Sequence, residues 1–270
     1  MKTFLLIIIV SFFPFLPAHS QVHWIWEKTA RGLECCSQQF ELSGVVQSVA
    51  VVRYRATRHK TGIYCANGPL ADSTSALAER INALAALNAG YFNMKTLEPV
   101  SYIWQACNGV VGRTSPGELF RIDGVLAVKR SGKIRVIRCD TTSYAGLKGY
   151  SEAIATGPVL LLGGVPARDS WPEYGFFQNR HPRSVIGRDE RNRVYMIVID
   201  GRLAGQGEGA SIAETVEICK MIGLKDAINF DGGGSSLLWE KQKGVLSYPC
   251  GNRKYDHYGQ RVVPNILYIK

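Results

Sequence analysis

The feature that most limits what this chain can fold into is a series of short apolar runs separated by turn residues. Residues 118–130 alternate around the pair Asp123-Gly124, and residues 184–186 and 194–199 flank a polar turn. Such pairs of runs predict β-hairpins. Because hairpins outnumber strand-helix alternations, we expect an α+β fold: a mixed, largely antiparallel β-sheet with packed helices in a single domain. A doubly wound parallel sheet is the disfavoured alternative.

Two segments carry the spacing of helices, residues 73–82 and residues 212–222. The second is the clearer, because Ser211 and Glu214 have the spacing of a capping box and Gly223 supplies a C-terminal stop.

The N-terminus has the pattern of a signal peptide. Lys2 precedes an apolar stretch at 4–15, and the small-x-small sequence Ala-His-Ser follows at 18–20. We therefore expect a signal peptide at 1–20 and an exported protein, periplasmic or secreted. After its removal we expect no stable membrane span, because no other apolar stretch approaches the roughly 20 residues needed. Residues 21–39 are predicted to be an irregular lead-in, and residues 40–270 one domain.

The composition bears on the partners. The chain has 32 Lys and Arg against 22 Asp and Glu, a formal charge of +10. Basic surfaces favour anionic partners. No dense Lys/Arg tract or base-stacking motif occurs, so an anionic carbohydrate is expected rather than a nucleic acid. The seven cysteines form no C-x-x-C pair and have no histidine at zinc-ligand spacing, which argues against a structural zinc site.

An aspartate and three glycines follow the short apolar strand at 227–230. Asp231 begins the sequence DGGGSS at 231–236. Glycines allow left-handed backbone and close approach of N–H groups, so this loop can hold an anion beside a carboxylate. It lacks the lysine of a P-loop and the spacing of a dinucleotide fingerprint, which disfavours nucleotide binding. A glycine-rich turn capped by Asp231 is the alternative.

The predicted hairpin places two arginines near each other. Arg183 precedes its first strand, and Asp200 and Arg202 follow its second. Guanidinium groups bind phosphate oxygens in pairs, so the two arginines are candidates for a phosphate clamp. The alternative for Arg183 is a surface salt bridge with Asp200. His181, next to Pro182, is either a residue of the site or only part of a turn.

Three further positions have structural alternatives. The capping box already accounts for Glu214, which ranks below both aspartates as a catalytic carboxylate. Asn88 and Tyr91 belong either to a buried turn or to the wall of a polar pocket.

Taken in order, these segments resemble the phosphodiester glycosidase family. They are NAGYFN at 88–93, HPRSVIG at 181–187, VIDGR at 198–202, the helix with Glu214, NFDGGGSS at 229–236 and RVVPN at 261–265. The resemblance extends from about residue 40 to the C-terminus.

The resemblance implies hydrolysis of the C–O bond between an anomeric sugar carbon, such as that of N-acetylglucosamine, and a phosphodiester. The catalytic residues implied are Asp231, then Asp200 and Glu214. The implied substrate-binding residues are Asn88, Tyr91, His181, Arg183, Arg202, Asn229, Gly232, Gly233 and Ser235. The alternatives are a non-catalytic glycan-binding or envelope-polymer-binding protein on the same fold, and a phosphodiesterase that cuts P–O.

The sequence requires no cofactor. A divalent cation between Asp231 and Asp200 is weakly supported, because hard cations need more oxygen ligands than two carboxylates supply.

Overall fold

The computed structural model describes residues 22–66, 68–139 and 143–270. The predicted signal peptide at 1–20 lies outside the described residues. Within the described ranges, no helix has both the length and the apolar character needed to cross a membrane.

Strands dominate the described residues. They are β1 (Glu27–Ala30), β2 (Leu33–Leu42), β3 (Val45–Arg55), β4 (Thr61–Cys65), β5 (Asp72–Ser73), β6 (Ala85–Asn88), β7 (Ile103–Gln105), β8 (Gly109–Gly112), β9 (Gly124–Val128), β10 (Ile134–Arg138), β11 (Glu152–Thr156), β12 (Val159–Leu162), β13 (Val165–Pro166), β14 (Arg183–Asp189), β15 (Arg193–Ile199), β16 (Leu224–Asn229), β17 (Leu238–Glu240), β18 (Gly244–Val245), β19 (Val262–Val263) and β20 (Asn265–Ile269). The α-helices are α1 (Thr74–Arg80), α2 (Gly175–Gln178) and α3 (Ile212–Ile222), and 3₁₀ turns occupy Gly68–Leu70, Pro116–Glu118, Ser143–Gly149, Gly233–Ser235 and Cys250–Asn252.

The strands form three larger sheets. The central sheet has eight strands in the order β1-β2-β3-β15-β14-β16-β12-β13. Two five-stranded sheets have the orders β10-β9-β11-β7-β8 and β18-β17-β6-β20-β4, and β5 pairs with β19. Every strand pairing in the described residues is antiparallel. The prediction of largely antiparallel strands with packed helices is thus confirmed, although the helices are few and short. The parallel pairings that a mixed sheet would contain do not occur among the described residues.

Strand β3 shows why the eight-stranded sheet is central. Ala50 and Val52 pack into one apolar cluster, and Val49 and Val51 pack into another. Successive side chains of a strand point to opposite faces, so this strand is buried on both. The first cluster extends into both five-stranded sheets, and the second extends to α3.

Both predicted helices are present, and the capping box predicted for the second is confirmed. The Ser73 hydroxyl accepts a hydrogen bond from the Ala76 N–H at 3.3 Å at the start of α1. At the start of α3 the Ser211 hydroxyl accepts from the Glu214 N–H at 3.2 Å, and Glu214 Oε2 accepts from the Ser211 N–H at 2.9 Å. Gly223 ends α3 with φ of 91°, a conformation that glycine adopts without strain.

The hairpin of β14 and β15 is also confirmed, and it positions the candidate site. Arg183 at the start of β14 pairs with Ile199 at the end of β15. On its other side β14 pairs with β16, with Val185 opposite Asn229. The residues after β15 and after β16 therefore emerge at the edge of the sheet where β14 begins.

The irregular lead-in predicted for residues 21–39 is wrong. Strand β1 and most of β2 lie there, and β2 pairs along its whole length with β3. Cys35 and Cys36 are consecutive and both buried, which breaks the alternation expected of a strand with one solvent face. Pairing with the central strand, rather than a local pattern, determines this segment.

The hairpin predicted around Asp123-Gly124 is also wrong. Strand β9 begins at Gly124, and the hairpin turn lies after it, closed by a hydrogen bond from the Lys129 N–H to the Lys133 carbonyl at 2.9 Å. Asp123 instead holds the segment around β12 and β13, because its carboxylate accepts hydrogen bonds from the Val159 N–H and from Arg168 Nη2, each at 2.7 Å.

Candidate active site

Asp231 is held by backbone hydrogen bonds from two sheets. Its N–H donates to the Ala89 carbonyl at 3.1 Å, and its carbonyl accepts from Asn88 Nδ2 at 2.6 Å. The preceding residue, Phe230, donates its N–H to the Ser184 carbonyl at 2.8 Å. Asp231 therefore has a fixed backbone where the ends of β6 and β16 meet the start of β14.

The Asp231 side chain faces a cavity of about 170 Å³. The lining residues are Arg121, Phe176, His181, Pro182, Arg183, Arg202, Asp231, Gly232 and Gly233. Six of the residues predicted for the site are therefore among them. The other predicted residues, Asn88, Tyr91, Asp200, Glu214, Asn229 and Ser235, do not line this cavity.

Burial raises the pKa of Asp231 to about 6. The nearby Ser235 hydroxyl, the charges of Arg121 and Arg261 and the Gly232 N–H limit the rise. The buried Ser235 hydroxyl makes no hydrogen bond of ordinary length and angle within the described residues, so it acts on Asp231 through the proximity of its dipole. Asp231 consequently gains and loses a proton close to neutral pH, which suits an acid-base group.

Gly232 and Gly233 allow the loop to pack closely against the segment around Pro182. A Cβ at Gly232 would lie 2.6 Å from the Pro182 carbonyl oxygen, and Gly233 has φ of +63°. The Gly233 N–H donates to that Pro182 carbonyl at 2.9 Å. The Gly233 N–H is therefore already hydrogen-bonded within the protein. It is not free to donate to a phosphate, contrary to the expectation from the sequence.

Arg183 lines the cavity, but most of its guanidinium group is used by the protein. The residue is 1% exposed. Its Nε donates to the Ala210 carbonyl at 2.8 Å, and its Nη2 donates to the carbonyls of Phe176 at 2.8 Å and Asn179 at 3.1 Å. Burial lowers the pKa of Arg183 to about 10, so it remains charged at neutral pH. Only Nη1 is left for a ligand, and the clamp role predicted for Arg183 becomes mainly a structural one.

We predict that Arg183→Lys lowers the free energy of unfolding by about 2–4 kcal/mol, because lysine cannot reach three separate carbonyls and leaves buried acceptors unpaired. Urea unfolding measures this. Arg202→Lys is the matched control, because Arg202 is exposed, and it should change the free energy by less than about 0.5 kcal/mol. Equal stability of Arg183→Lys and the wild-type protein would contradict the structural role.

Arg202 is the arginine of this cavity with the most freedom to bind a ligand, and Arg121 is partly exposed but already paired with Glu118. Arg202 lies beside the glycine loop, with its Nη2 3.1 Å from the position of a Cβ at Gly233. The guanidinium carbon of Arg121 lies 3.9 Å from the centre of the Tyr91 ring, and Arg121 forms an ion pair with Glu118. Sequence reasoning missed Arg121, because no local pattern connects it with Tyr91 or Asp231.

The Asp200 carboxylate does not line this cavity. Its Oδ2 accepts from the Ser48 hydroxyl and its Oδ1 from the Tyr248 N–H, both at 2.7 Å. Burial raises the pKa of Asp200 to about 7. After β15 the chain turns toward β3, where the Asp200 N–H donates to the Ser48 carbonyl at 2.8 Å. The sequence placed Asp200 at the correct edge of the sheet but did not specify this turn.

Glu214 is occupied by the helix cap and by an ion pair. Arg180 Nη2 donates to its Oε1 at 2.6 Å, in addition to the capping bond from the Ser211 N–H. Burial raises the pKa of Glu214, but hydrogen bonds from Arg180 and Ser211 outweigh it, and the net pKa is lowered. Glu214 therefore stays ionised as a structural residue, and the catalytic role considered for it has no support in this geometry.

Asn88, Tyr91 and Asn229 form buried supports behind the cavity. Asn88 Oδ1 accepts from the Ser184 hydroxyl at 2.6 Å, in addition to the bond from Asn88 to Asp231. The Tyr91 hydroxyl donates to the Gly157 carbonyl at 2.7 Å and accepts from Asn229 Nδ2 at 3.1 Å. These residues hold the loop in place rather than contact the cavity.

His181 contributes a neutral ring to the cavity wall. Burial, and then the charges of Arg183 and Arg202, lower the pKa of His181 below its ordinary value. At neutral pH the imidazole is therefore mostly uncharged, and its ring nitrogens are able to donate and accept protons or hydrogen bonds.

Within the described ranges, no group of three or more His, Cys, Asp and Glu side chains is arranged to hold a metal ion. The two carboxylates considered as cation ligands, Asp231 and Asp200, do not face one cavity, so they offer no common position at which both could bind one cation.

A carboxyl group among arginine side chains, at the end of an antiparallel sheet, defines a site suited to an anionic ligand. The chain belongs to the phosphodiester glycosidase family, whose model matches residues 82–270. The family predicted from the ordered motifs is therefore confirmed, and family and fold together support a glycosidase-type function. No curated protein sequence matches the chain.

Solved structures share the fold at low identity. The catalytic domain of zebrafish N-acetylglucosamine-1-phosphodiester alpha-N-acetylglucosaminidase, described as auto-inhibited by its pro-peptide, is 18% identical with a TM-score of 0.68, over 90% of this chain and 85% of that one. A putative exported protein from Burkholderia pseudomallei is 14% identical with a TM-score of 0.55, over 85% of this chain and 75% of that one. At these identities the likeness shows the fold alone.

Proposed function

We propose that this protein is an exported hydrolase that cleaves the C–O bond between an anomeric sugar carbon and a phosphodiester, releasing free sugar and a phosphomonoester. The observation that carries the proposal is the Asp231 carboxyl group, which shares one cavity with Arg121 and Arg202 in a chain of the phosphodiester glycosidase family.

The chemistry assigns each group a role. The departing phosphomonoester has a second pKa near 6, roughly, so it leaves with little help from a general acid. Arg121 and Arg202 stabilise its negative charge. The ionised Asp231 carboxylate accepts a proton from water as the water oxygen bonds to the anomeric carbon, and the C–O electron pair leaves with the phosphate.

The sugar is the first property to test. The zebrafish enzyme that shares the fold is named for N-acetylglucosamine-1-phosphodiester. We therefore take N-acetylglucosamine as the first sugar in a panel of sugar-1-phosphodiesters incubated with the mature protein. We expect free reducing sugar from at least one member. A folded protein that turns over none of them would contradict the proposal and favour a glycan-binding role.

The pH profile should depend on Asp231. Its raised pKa of about 6 means that the carboxylate needed for catalysis is present above that pH and is lost below it. We predict that kcat/KM falls about tenfold per pH unit below roughly pH 6 and levels off above it. Steady-state kinetics between acidic and mildly alkaline pH measure this. A rate that rises toward acid would contradict the assignment of Asp231 as a base.

Export is proposed from the N-terminal pattern at 1–20, and the exported description of the Burkholderia protein agrees with it. We predict a mature N-terminus at or close to Gln21. Mass spectrometry of the protein released by the producing cell tests this, and an intact Met1 on that protein would contradict it.

A further inference from the structure

A basic cavity lies at the end of the central sheet opposite to Asp231. It has a volume of about 340 Å³ and is lined by four cationic residues, Arg55, Lys133, Arg191 and Arg193. Strand β15 runs from this cavity to the edge of the candidate active site. At about 3.3 Å per residue, its seven residues separate the two ends of the sheet by roughly 20 Å.

The charges of this cavity are poorly balanced by the protein itself. Arg55 and Arg193 are directly opposite each other on β3 and β15, an arrangement that is destabilising for like charges. Arg193 pairs with Asp189 at 2.6 Å. For Arg55, Lys133 and Arg191 there is no ion pair or side-chain hydrogen bond with any other described residue. None of the described residues that line the cavity is acidic.

A second basic cavity adjoins the first. It also has a volume of about 340 Å³, and its cationic residues are Lys60, Lys129, Arg130 and Lys270. Gly132 joins the two cavities, because it precedes Lys133 and a Cβ there would lie 3.1 Å from the Lys60 Cα. We call the two cavities together the far-end basic surface.

Little in the second cavity offsets its positive charge. Glu152 is the acidic residue among its described lining residues, and its Oε2 is occupied by a hydrogen bond from the Ile63 N–H at 2.6 Å.

We propose that the far-end basic surface binds a linear polymer that carries repeated phosphate groups. Two adjoining cationic cavities match an extended polyanion better than a single small anion, and arginine forks bind phosphate oxygens in pairs. The assignment of a sugar-phosphate polymer as the natural ligand rests on the proposed function. In that setting the surface holds one part of the polymer while another part enters the Asp231 cavity.

The chemistry of the surface does not favour nucleic acid. Proteins that bind single strands stack bases on aromatic side chains. The aromatic residue among the described lining residues is Tyr268, which is partly buried and has Lys270 Nζ 5.4 Å from its ring centre. A polymer without bases fits this surface better.

The test is equilibrium binding of a short linear polyphosphate, measured by calorimetry on the whole mature protein. The variant Arg55→Gln/Lys133→Gln/Arg191→Gln removes three charges from the first cavity. We expect its Kd to rise by about tenfold or more. The matched control Lys28→Gln/Lys148→Gln/Lys220→Gln removes three exposed charges elsewhere, and its Kd should rise by no more than about threefold. Thermal melting of both variants checks that they are folded.

Hydrolysis of a small sugar-1-phosphodiester is measured in parallel, and both triple variants should retain the wild-type rate. The two proposals are thus tested separately. If the protein binds polyphosphate but does not hydrolyse the diester, only the proposed function is contradicted. The inference is overturned if wild-type protein does not bind polyphosphate, or if both triple variants weaken binding equally, since diffuse charge then accounts for it. Tighter binding of single-stranded DNA than of polyphosphate at equal charge would also overturn it, in favour of nucleic acid.

Discussion

Replacing Asp231 with asparagine is expected to lower kcat by roughly 10² to 10⁴ while the protein remains folded. Asparagine keeps the size of the side chain and the backbone bonds to Ala89 and Asn88, but it cannot accept a proton from water. The measurement is steady-state hydrolysis of the best sugar-1-phosphodiester found in the panel.

The stability of this variant has an expected sign as well. The pKa of Asp231 is raised to about 6 by burial, so the ionised form destabilises the folded state above that pH. Asp231→Asn removes this cost, and its unfolding midpoint at pH 8 should be no lower than that of the wild-type protein. A loss of activity that accompanies unfolding would not support the catalytic role.

Glu214→Gln is the internal control for Asp231→Asn. Glutamine still completes the capping box with Ser211, although it weakens the pair with Arg180. We expect this variant to fold and to keep most of its turnover. The reverse ranking, with an inactive Glu214→Gln and an active Asp231→Asn, would contradict the assignment of the carboxylate.

The second large effect is expected at Arg202, whose replacement by alanine should lower kcat/KM by roughly 10² to 10³. The reason is the loss of a charged donor aimed at the departing phosphate. Arg202 is exposed and makes no ion pair with any other described residue, so stability should hardly change. Kinetics on a sugar-1-phosphodiester measure the effect.

Arg191→Ala is the matched control for Arg202→Ala, because Arg191 is an exposed arginine at the far-end basic surface. Its activity on a small diester should equal that of the wild-type protein. Equal losses in the two variants would show that overall charge, rather than a phosphate contact at Arg202, determines the rate.

The sequence predicted the elements that carry local signals. The capping box of α3 joins Ser211 and Glu214, the hairpin of β14 and β15 spans residues 183–199, and both are present. The same local reasoning placed Arg183 and Arg202 near each other, whereas only the family resemblance grouped Asp231 with them. It reached the correct family because the order of the motifs adds information that no single motif has.

Features that depend on distant partners were not predictable in this way. The strands at 27–42 form because β2 pairs with β3. Strand β3 is itself buried on both faces, each of which packs into an apolar cluster. Arg183 has the residue type of a phosphate ligand, yet three backbone carbonyls from other segments use its donors. Arg121 enters the cavity from the connection before β9, where its ion pair with Glu118 and the packing of its guanidinium group on Tyr91 hold it.

The measurement that tests the central claim most directly is hydrolysis of a proven sugar-1-phosphodiester in water labelled with oxygen-18, with both products analysed by mass spectrometry. Attack at the anomeric carbon places the label in the released sugar and leaves the phosphomonoester unlabelled. We expect that result from the wild-type protein, and its loss along with turnover in Asp231→Asn. Label in the phosphomonoester would show P–O cleavage and would contradict the proposed glycosidase reaction.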